Sequence, residues 1–269
     1  MSFFGHFQVF HAFHRPSCCL LCHLWFSSGS PKTPCSLRTG STGSSSTASD
    51  HERKTIRASV VTARTQRPAM IPPNIPRTLN TRRLFLRSAT PGDGAAVCEA
   101  VTENLSALRA WPTSLPWALY EPSVATSERF CCEASHALDA GQGFAFLAFR
   151  NDGRLIASVG LHDVRWDLPS MEIGFWMRSS AHRQGYAAES VRAVLDFASQ
   201  VLGARRTQAQ TDEENHACRA TCEASGMRLE GILHNARVTP SGQVKNVCMY
   251  AFASQETISS AYSIEPTKI

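Results

Sequence analysis

From Glu172 to Ser190 the chain runs Glu-Ile-Gly-Phe-Trp-Met-Arg-Ser-Ser-Ala-His-Arg-Gln-Gly-Tyr-Ala-Ala-Glu-Ser. An apolar strand gives way to a short polar loop that ends in Gln184-Gly185-Tyr186-Ala187, and then to an amphipathic helix. A unit of this kind can hold a pyrophosphate without a lysine. Successive N–H groups of the loop and the first helical turn point at the phosphates, and the positive end of the helix dipole favours the anion. Gly185 and Ala187 keep side chains out of the way, so the phosphates can approach the backbone. A lone Gly-x-Ala says little, but a strand before it and a helix after it give it context. Two further groups could move protons. Glu172 is a carboxylate able to take one from an amine, and Cys218, three residues after Asn215, is a thiol able to give one.

The segment resembles motif A of the GNAT acetyltransferases, whose pyrophosphate loop is here His182-Arg-Gln-Gly185-Tyr-Ala187. Its details resemble the RimJ/RimL branch. Glu172-Ile-Gly-Phe-Trp176 is similar to the strand motif of that branch, and Gly185-Tyr-Ala-Ala-Glu-Ser190 to its helix start. Asn215-His-Ala-Cys218 and Gly226-Met-Arg-Leu-Glu-Gly231 follow in the same order, so the resemblance covers about residues 81–254.

That resemblance implies a twisted mixed α/β sheet flanked by helices. It implies an N-acetyltransferase that uses acetyl-CoA as co-substrate, needs no metal, and transfers the acetyl group directly to a primary amine such as a peptide N-terminus. By the same resemblance the pantetheine arm lies along the backbone of Trp176, Met177 and Arg178 and bonds to Asn215. The N–H groups of Arg183, Gln184, Gly185, Tyr186, Ala187 and Ala188 hold the pyrophosphate. Cys218 stands where the family has a serine that can protonate the leaving thiolate, and Glu172 is the general-base candidate. Read from the residues alone, Cys218 is equally a small helix residue like Cys222, and Glu172 equally a structural acceptor. His182 replaces the usual Gln or Arg, and Asn246 stands where the family often has Asp. These departures motivate an alternative, a non-catalytic acyl-CoA sensor or interaction module of the same fold. His162, Tyr250, Trp111, Trp117 and Tyr120 are further candidates to line the acceptor side.

The elements that must position these groups are legible in outline. Residues 84–87 read as a first strand, followed by a helix to about 109 with Thr90 as N-cap and Pro91 at its first position. An irregular aromatic loop fills 111–117, and a second helix 123–140. Strands 144–150 and 155–165 flank Asn151-Asp152-Gly153, a hairpin signal. A strand is predicted over 170–178 and a helix over 187–202, with Val191, Val194, Leu195, Ala198, Val201 and Leu202 on one stripe. A strand at 207–211, a short helix at 215–225 and a closing hairpin, 228–238 with 244–252, complete the domain.

Composition divides the 269 residues unevenly. Residues 1–70 carry eight Lys/Arg against two acids, and the remainder nineteen against twenty, so the basic balance belongs to the N-terminal segment. No cationic face for nucleic acid is implied for the domain. The expected organisation is an N-terminal extension 1–80, an acetyltransferase domain 81–254 and a loose tail 255–269, with Met70 as a candidate natural start. The Ser/Thr/Gly/Ala run 39–49 reads as disordered. The first 26 residues lack both the charged start of a signal peptide and an unbroken apolar span, so no membrane insertion is expected. Cys19-Leu-Leu-Cys22-His23 fits a haem-attachment pattern, but no export signal precedes it. Ten scattered cysteines suggest reduced thiols in a cytoplasmic protein, acting as a monomer or homodimer.

Overall fold

The structure, a computed structural model, describes residue 72 and residues 74–253. The strands are β1 Thr78–Asn80, β2 Leu84–Ser88, β3 Phe144–Arg150, β4 Leu155–Arg165, β5 Ser170–Met177, β6 Arg206–Asp212, β7 Arg228–Val238 and β8 Val244–Ala253. The helices are α1 Gly94–Arg109, α2 Val124–Asp139, α3 Tyr186–Gln200 and α4 His216–Ala224. All eight strands join one sheet in the order β1-β2-β3-β4-β5-β6-β8-β7. Its pairs are antiparallel except β5 with β6, which α3 joins as a crossover. The sheet is the mixed, helix-flanked one that the sequence predicts.

Two apolar cores lie on its opposite faces. On one, Val191, Val194, Leu195 and Ala198 of α3 are buried against the sheet, and the Phe197 ring meets Phe144 and Phe146 edge-on at 5.8 and 5.2 Å. Cys222 of α4 joins this core. On the other face, α1 and α2 bury Val97, Val101 and Phe130 over Leu147 and Leu155.

Two boundaries differ from expectation. The sheet begins at β1, ahead of the boundary at Thr81, because Thr78–Asn80 pairs with Arg87–Phe85 of β2. Three polar-flanked residues are too few for a period to register. Thr90 is not the cap of α1. Thr90 to Asp93 form a turn, and Asp93 is the N-cap, its carboxylate accepting from the Thr90 N–H at 2.9 Å and pairing with Arg87. The Gly92 and Gly94 N–H groups at this end are met instead by the Glu128 carboxylate of α2, at 2.6 and 2.9 Å. The expectations about the first seventy residues, including the Cys19–His23 cluster and the start at Met70, and about the tail 255–269 lie outside the described residues.

The feature that positions the site is a gap. β5 pairs with β6 only from Ser170–Glu172 to Arg206–Gln208, and the two strands part beyond that point.

Candidate active site

The gap leaves one edge of β5 without a strand partner after Glu172. Which residues face it follows from the pairing with β4. The Arg178 N–H donates to Ile156 O at 2.8 Å, and alternate residues of an antiparallel pair face the same neighbour. Trp176 therefore also turns its main chain to β4, while Phe175 and Met177 turn theirs to the open side. Arg178 is corrected as a groove residue. Its C=O is taken by the Ala181 N–H, and its buried guanidinium donates to Leu155 O, Glu99 and Glu103. Trp176 lines the groove although its main chain turns to β4.

Glu103 ties the loop after β5 to α1. It accepts from Ser180 Oγ, Arg178 and Arg154, and the bonds from Ser180 and Arg178 hold its carboxyl down at about 2. His182, though exposed, folds back on the end of β5, its Nε2 donating to Met177 O at 3.1 Å, and Asn104 Nδ2 donates to the same carbonyl at 2.7 Å. The His182 side chain is thus a strand-end clamp.

The loop then twists through two left-handed residues, Arg183 at φ 59° and Gly185 at φ 78°. Such a bend turns successive N–H groups to one side. The first intrahelical bond of α3 runs from Glu189 N to Gly185 O, so the N–H groups of Tyr186, Ala187 and Ala188 have no partner within the helix. Arg83 buttresses the loop from behind. It donates to Gln184 O at 2.9 Å and to Glu189 at 2.7 Å, and lies 4.5 Å from the Tyr186 ring centroid.

A groove of about 560 Å³ runs from this loop along the open edge of β5, between Asn104 and Trp111 on one side and Asn215 and Cys218 on the other. It abuts a smaller cavity of about 70 Å³ lined by His162, Glu172, Gln210 and Arg237. Trp111, Leu115, Phe175, Asn215 and Cys218 line both. The gap between β5 and β6 brings the two faces of the sheet together here. Glu172 shares its face of β5 with Trp176, on the α1–α2 side, whereas Cys218 packs on the α3–α4 side.

Glu172 is 5 % exposed and accepts from Gln208 and Gln210. Burial pushes its carboxyl up, and the neighbouring His162 and the two amides oppose the rise. Asn215 caps α4, its Oδ1 accepting the Cys218 N–H at 3.1 Å. The Cys222 thiol donates to the Cys218 sulfur, which lowers the Cys218 thiol and raises Cys222. Of the other candidates, His162 and Trp111 reach the cavity. Tyr250 does not: its hydroxyl donates to Glu223 beneath α4. Trp117 is buried in the α1–α2 core and Tyr120 is exposed.

Among the cavity and groove residues that were not anticipated are Phe175, Asn104, Gln210 and Arg237. The alternation of Gln208 and Gln210 on the predicted strand 207–211 was a signal that this face meets polar groups. Nothing in the sequence marked Arg237.

Residues 83–228 match the acetyltransferase (GNAT) domain family. Among solved structures, Mycobacterium smegmatis RimJ in complex with CoA-disulfide is similar at a TM-score of 0.61 and 23% identity, over 70% of this chain and 92% of that one. A RimL ribosomal-protein acetyltransferase in complex with coenzyme A is similar at a TM-score of 0.60 and 21% identity, over 66% and 97%. An acetyltransferase from Salmonella typhimurium, described as modifying the N-terminal serine of a 50S ribosomal protein, follows at 0.58 and 20% identity, over 67% and 98%. Among the described residues no helix is long and apolar enough to cross a membrane. With its parted strands and a family match over more than half of its length, the chain belongs to the GNAT family and is an acetyl-CoA-dependent N-acetyltransferase.

Proposed function

We propose that the chain acetylates the N-terminal amine of a protein or peptide, within a domain spanning residues 78–254, in the cytoplasm and as a monomer or homodimer. The observation that carries this reading is the gap itself: it sets Glu172 and Cys218 on opposite faces of the sheet around one small cavity. The N–H groups of Arg183 to Ala188 hold the pyrophosphate of acetyl-CoA. The main chain of Phe175 and Met177, with Asn215 Nδ2, holds the pantetheine arm. This places the thioester at the mouth of the cavity, between the two titratable groups.

Glu172 takes the proton of the incoming ammonium group, directly or through one water, and frees the amine lone pair for attack on the thioester carbon. A carboxyl raised by burial is better matched to this task than an ordinary one. As the C–S bond breaks, the Cys218 thiol gives its proton to the leaving thiolate, and a lowered thiol is a stronger acid for the purpose. The nitrogen sheds its second surplus proton to solvent as the amide forms, Glu172 releases its own to solvent, and solvent restores the proton to Cys218, so that one proton is released overall. The 70 Å³ cavity admits a small residue beside the amine, which suits serine or alanine at a peptide N-terminus. Six described cysteines are free, in keeping with a reducing compartment. The departures that motivated a non-catalytic sensor have structural tasks, since His182 clamps the β5 end and Asn246 holds a bend in β7.

The test is incubation of the purified chain with labelled acetyl-CoA and peptides that begin with free Ser, Ala or Leu. The expected result is label on the N-termini of the Ser and Ala peptides, matched one-to-one by released CoA. CoA binding without transfer to any of them would remove the catalytic reading.

A further inference from the structure

Glu172 does not stand alone in the cavity wall. Two amides donate to the same carboxylate oxygen, Oε2: Gln210 Nε2 at 2.9 Å and Gln208 Nε2 at 3.2 Å. Its other oxygen, Oε1, takes neither of these bonds, and Glu172 lines the cavity. An amide side chain has a donor end and an acceptor end, and both orientations fill the same space. Something must therefore choose the donor end of Gln210 for Glu172. The other end of that amide supplies the answer, because Gln210 Oε1 accepts from Arg237 Nη2 at 3.0 Å. A guanidinium has donors only, so a flipped Gln210 would face it with an NH₂ group and face the carboxylate with an oxygen.

Arg237 is itself held on two sides. Its Nη1 donates to Ser114 Oγ at 3.0 Å and lies 3.5 Å from the buried Asp212 carboxylate. Asp212 also accepts from Thr113 Oγ1 of the aromatic loop, at 2.9 Å. Arg237 comes from β7, which β8 separates from β6. A bulge in β7 lies immediately before it: Leu233 faces Val247 and Arg237 faces Lys245, so four steps on β7 oppose two on β8. Within the bulge Asn235 is left-handed at φ 54°, and its N–H donates to Asn246 Oδ1 at 2.8 Å.

We propose that Arg237 is a positioning residue for the acetyl-transfer reaction: it fixes the Gln210 amide with its donor on Glu172 Oε2 and so leaves Oε1 to meet the acceptor amine. This rests on the reading of Glu172 as the base. The groups that face Glu172 are His162 and Asp163 from β4, Gln208 and Gln210 from β6, and Cys218 across the cavity from α4. Arg237 and Asp212 stand behind Gln210. Without Arg237 the Gln210 amide is free to turn, the carboxylate loses a donor, and its charged form is less favoured.

The experiment is a pH titration of the Glu172 carboxyl in the full-length chain. It uses ¹³C NMR of protein labelled at the glutamate carboxyl carbon, with the resonance assigned by Glu172→Gln. Arg237→Met is expected to raise the midpoint by about half a unit to one unit, and Gln210→Leu by a similar amount. Adding Arg237→Met to Gln210→Leu should move it no further, the signature of action through the shared amide. Arg237→Gln, whose own amide can offer Gln210 either end, should also raise the midpoint and serves if the Met variant does not fold. An unchanged midpoint in the Arg237 variants overturns the proposal. So does an equal shift with and without Gln210, which would mean direct action of the charge. The acid limb of kcat/KM for acetyl-CoA and a peptide beginning with Ser is measured beside it. If the midpoint moves and the acid limb does not, Glu172 is not the base, while the positioning by Arg237 stands.

Discussion

At the scale of single residues, Glu172 carries the sharpest expectation. Its carboxyl is raised above the 4.5 of an ordinary glutamate because burial penalises its charge. A base must be ionised to act, so kcat/KM should fall as the pH drops through this raised value. Glu172→Gln removes the group with little change of shape. It should lower kcat by ~10²–10⁴-fold, leave KM for acetyl-CoA nearly unchanged and flatten the acid limb. A loss under about threefold would make Glu172 structural. Gly185 is the second such residue. At φ 78° a side chain is strained, and a Cβ there would lie 3.3 Å from Arg83 Nη2. Gly185→Val adds β-branching to that strain, at a cost of ~1–3 kcal/mol, and pushes against the Arg83 guanidinium that holds the loop, so the loop and its N–H groups must shift. Calorimetry should show acetyl-CoA affinity falling by about tenfold or more. An unchanged Kd would place the phosphate elsewhere.

At the scale of elements, α3 links packing to binding. Its N-terminus carries the loop proposed to hold the phosphates, and its body is seated by Phe197 against Phe144 and Phe146. Phe197→Ala should cost ~3–5 kcal/mol of stability, read by urea denaturation of the chain without ligand. A loss below ~1 kcal/mol would show that the helix is seated by other contacts. The elements were the most legible part of the sequence. The α3 stripe and the Asn151–Gly153 hairpin are local patterns, and a local pattern can be read from one segment. The loop 182–185 and the helix start after it were legible for the same reason, being a run of neighbours in sequence. The gap between β5 and β6 was not, because where two strands part depends on twist and pairing rather than on either strand alone. Hence Trp176 and Arg178 were expected at an edge that Phe175 and Met177 occupy. The partnership of Glu172 with Gln210 and Arg237 required the strand order β6-β8-β7, which no single segment encodes.

At the scale of the whole molecule, the parted sheet is both the site and a weakness. Beyond Glu172 the ladder between β5 and β6 is missing, so the two sides of the groove are joined there by side chains such as Asp212, Thr113 and Arg237. The charge of the chain does not decide what fills this groove, since the surplus of +5 resides in the first seventy residues. Acetyl-CoA in the groove would touch both sides at once, from Asn104 and Trp111 to Asn215 and Cys218. A ligand that binds only the folded chain stabilises it by mass action, ~2.7 kcal/mol at one hundred times Kd. For a domain of this size each kcal/mol moves Tm by ~2–4 °C, so saturating acetyl-CoA should raise Tm by ~5–10 °C. Adenosine 3′,5′-bisphosphate lacks the pantetheine arm and reaches only the phosphate loop, so it should give a smaller rise at the same concentration. The Gly185→Val variant should show almost none. A rise as large with the bisphosphate as with acetyl-CoA would mean that the pantetheine arm does not close the gap. The stabilisation would then belong to the loop and α3 alone, and the open edge of β5 would need another occupant.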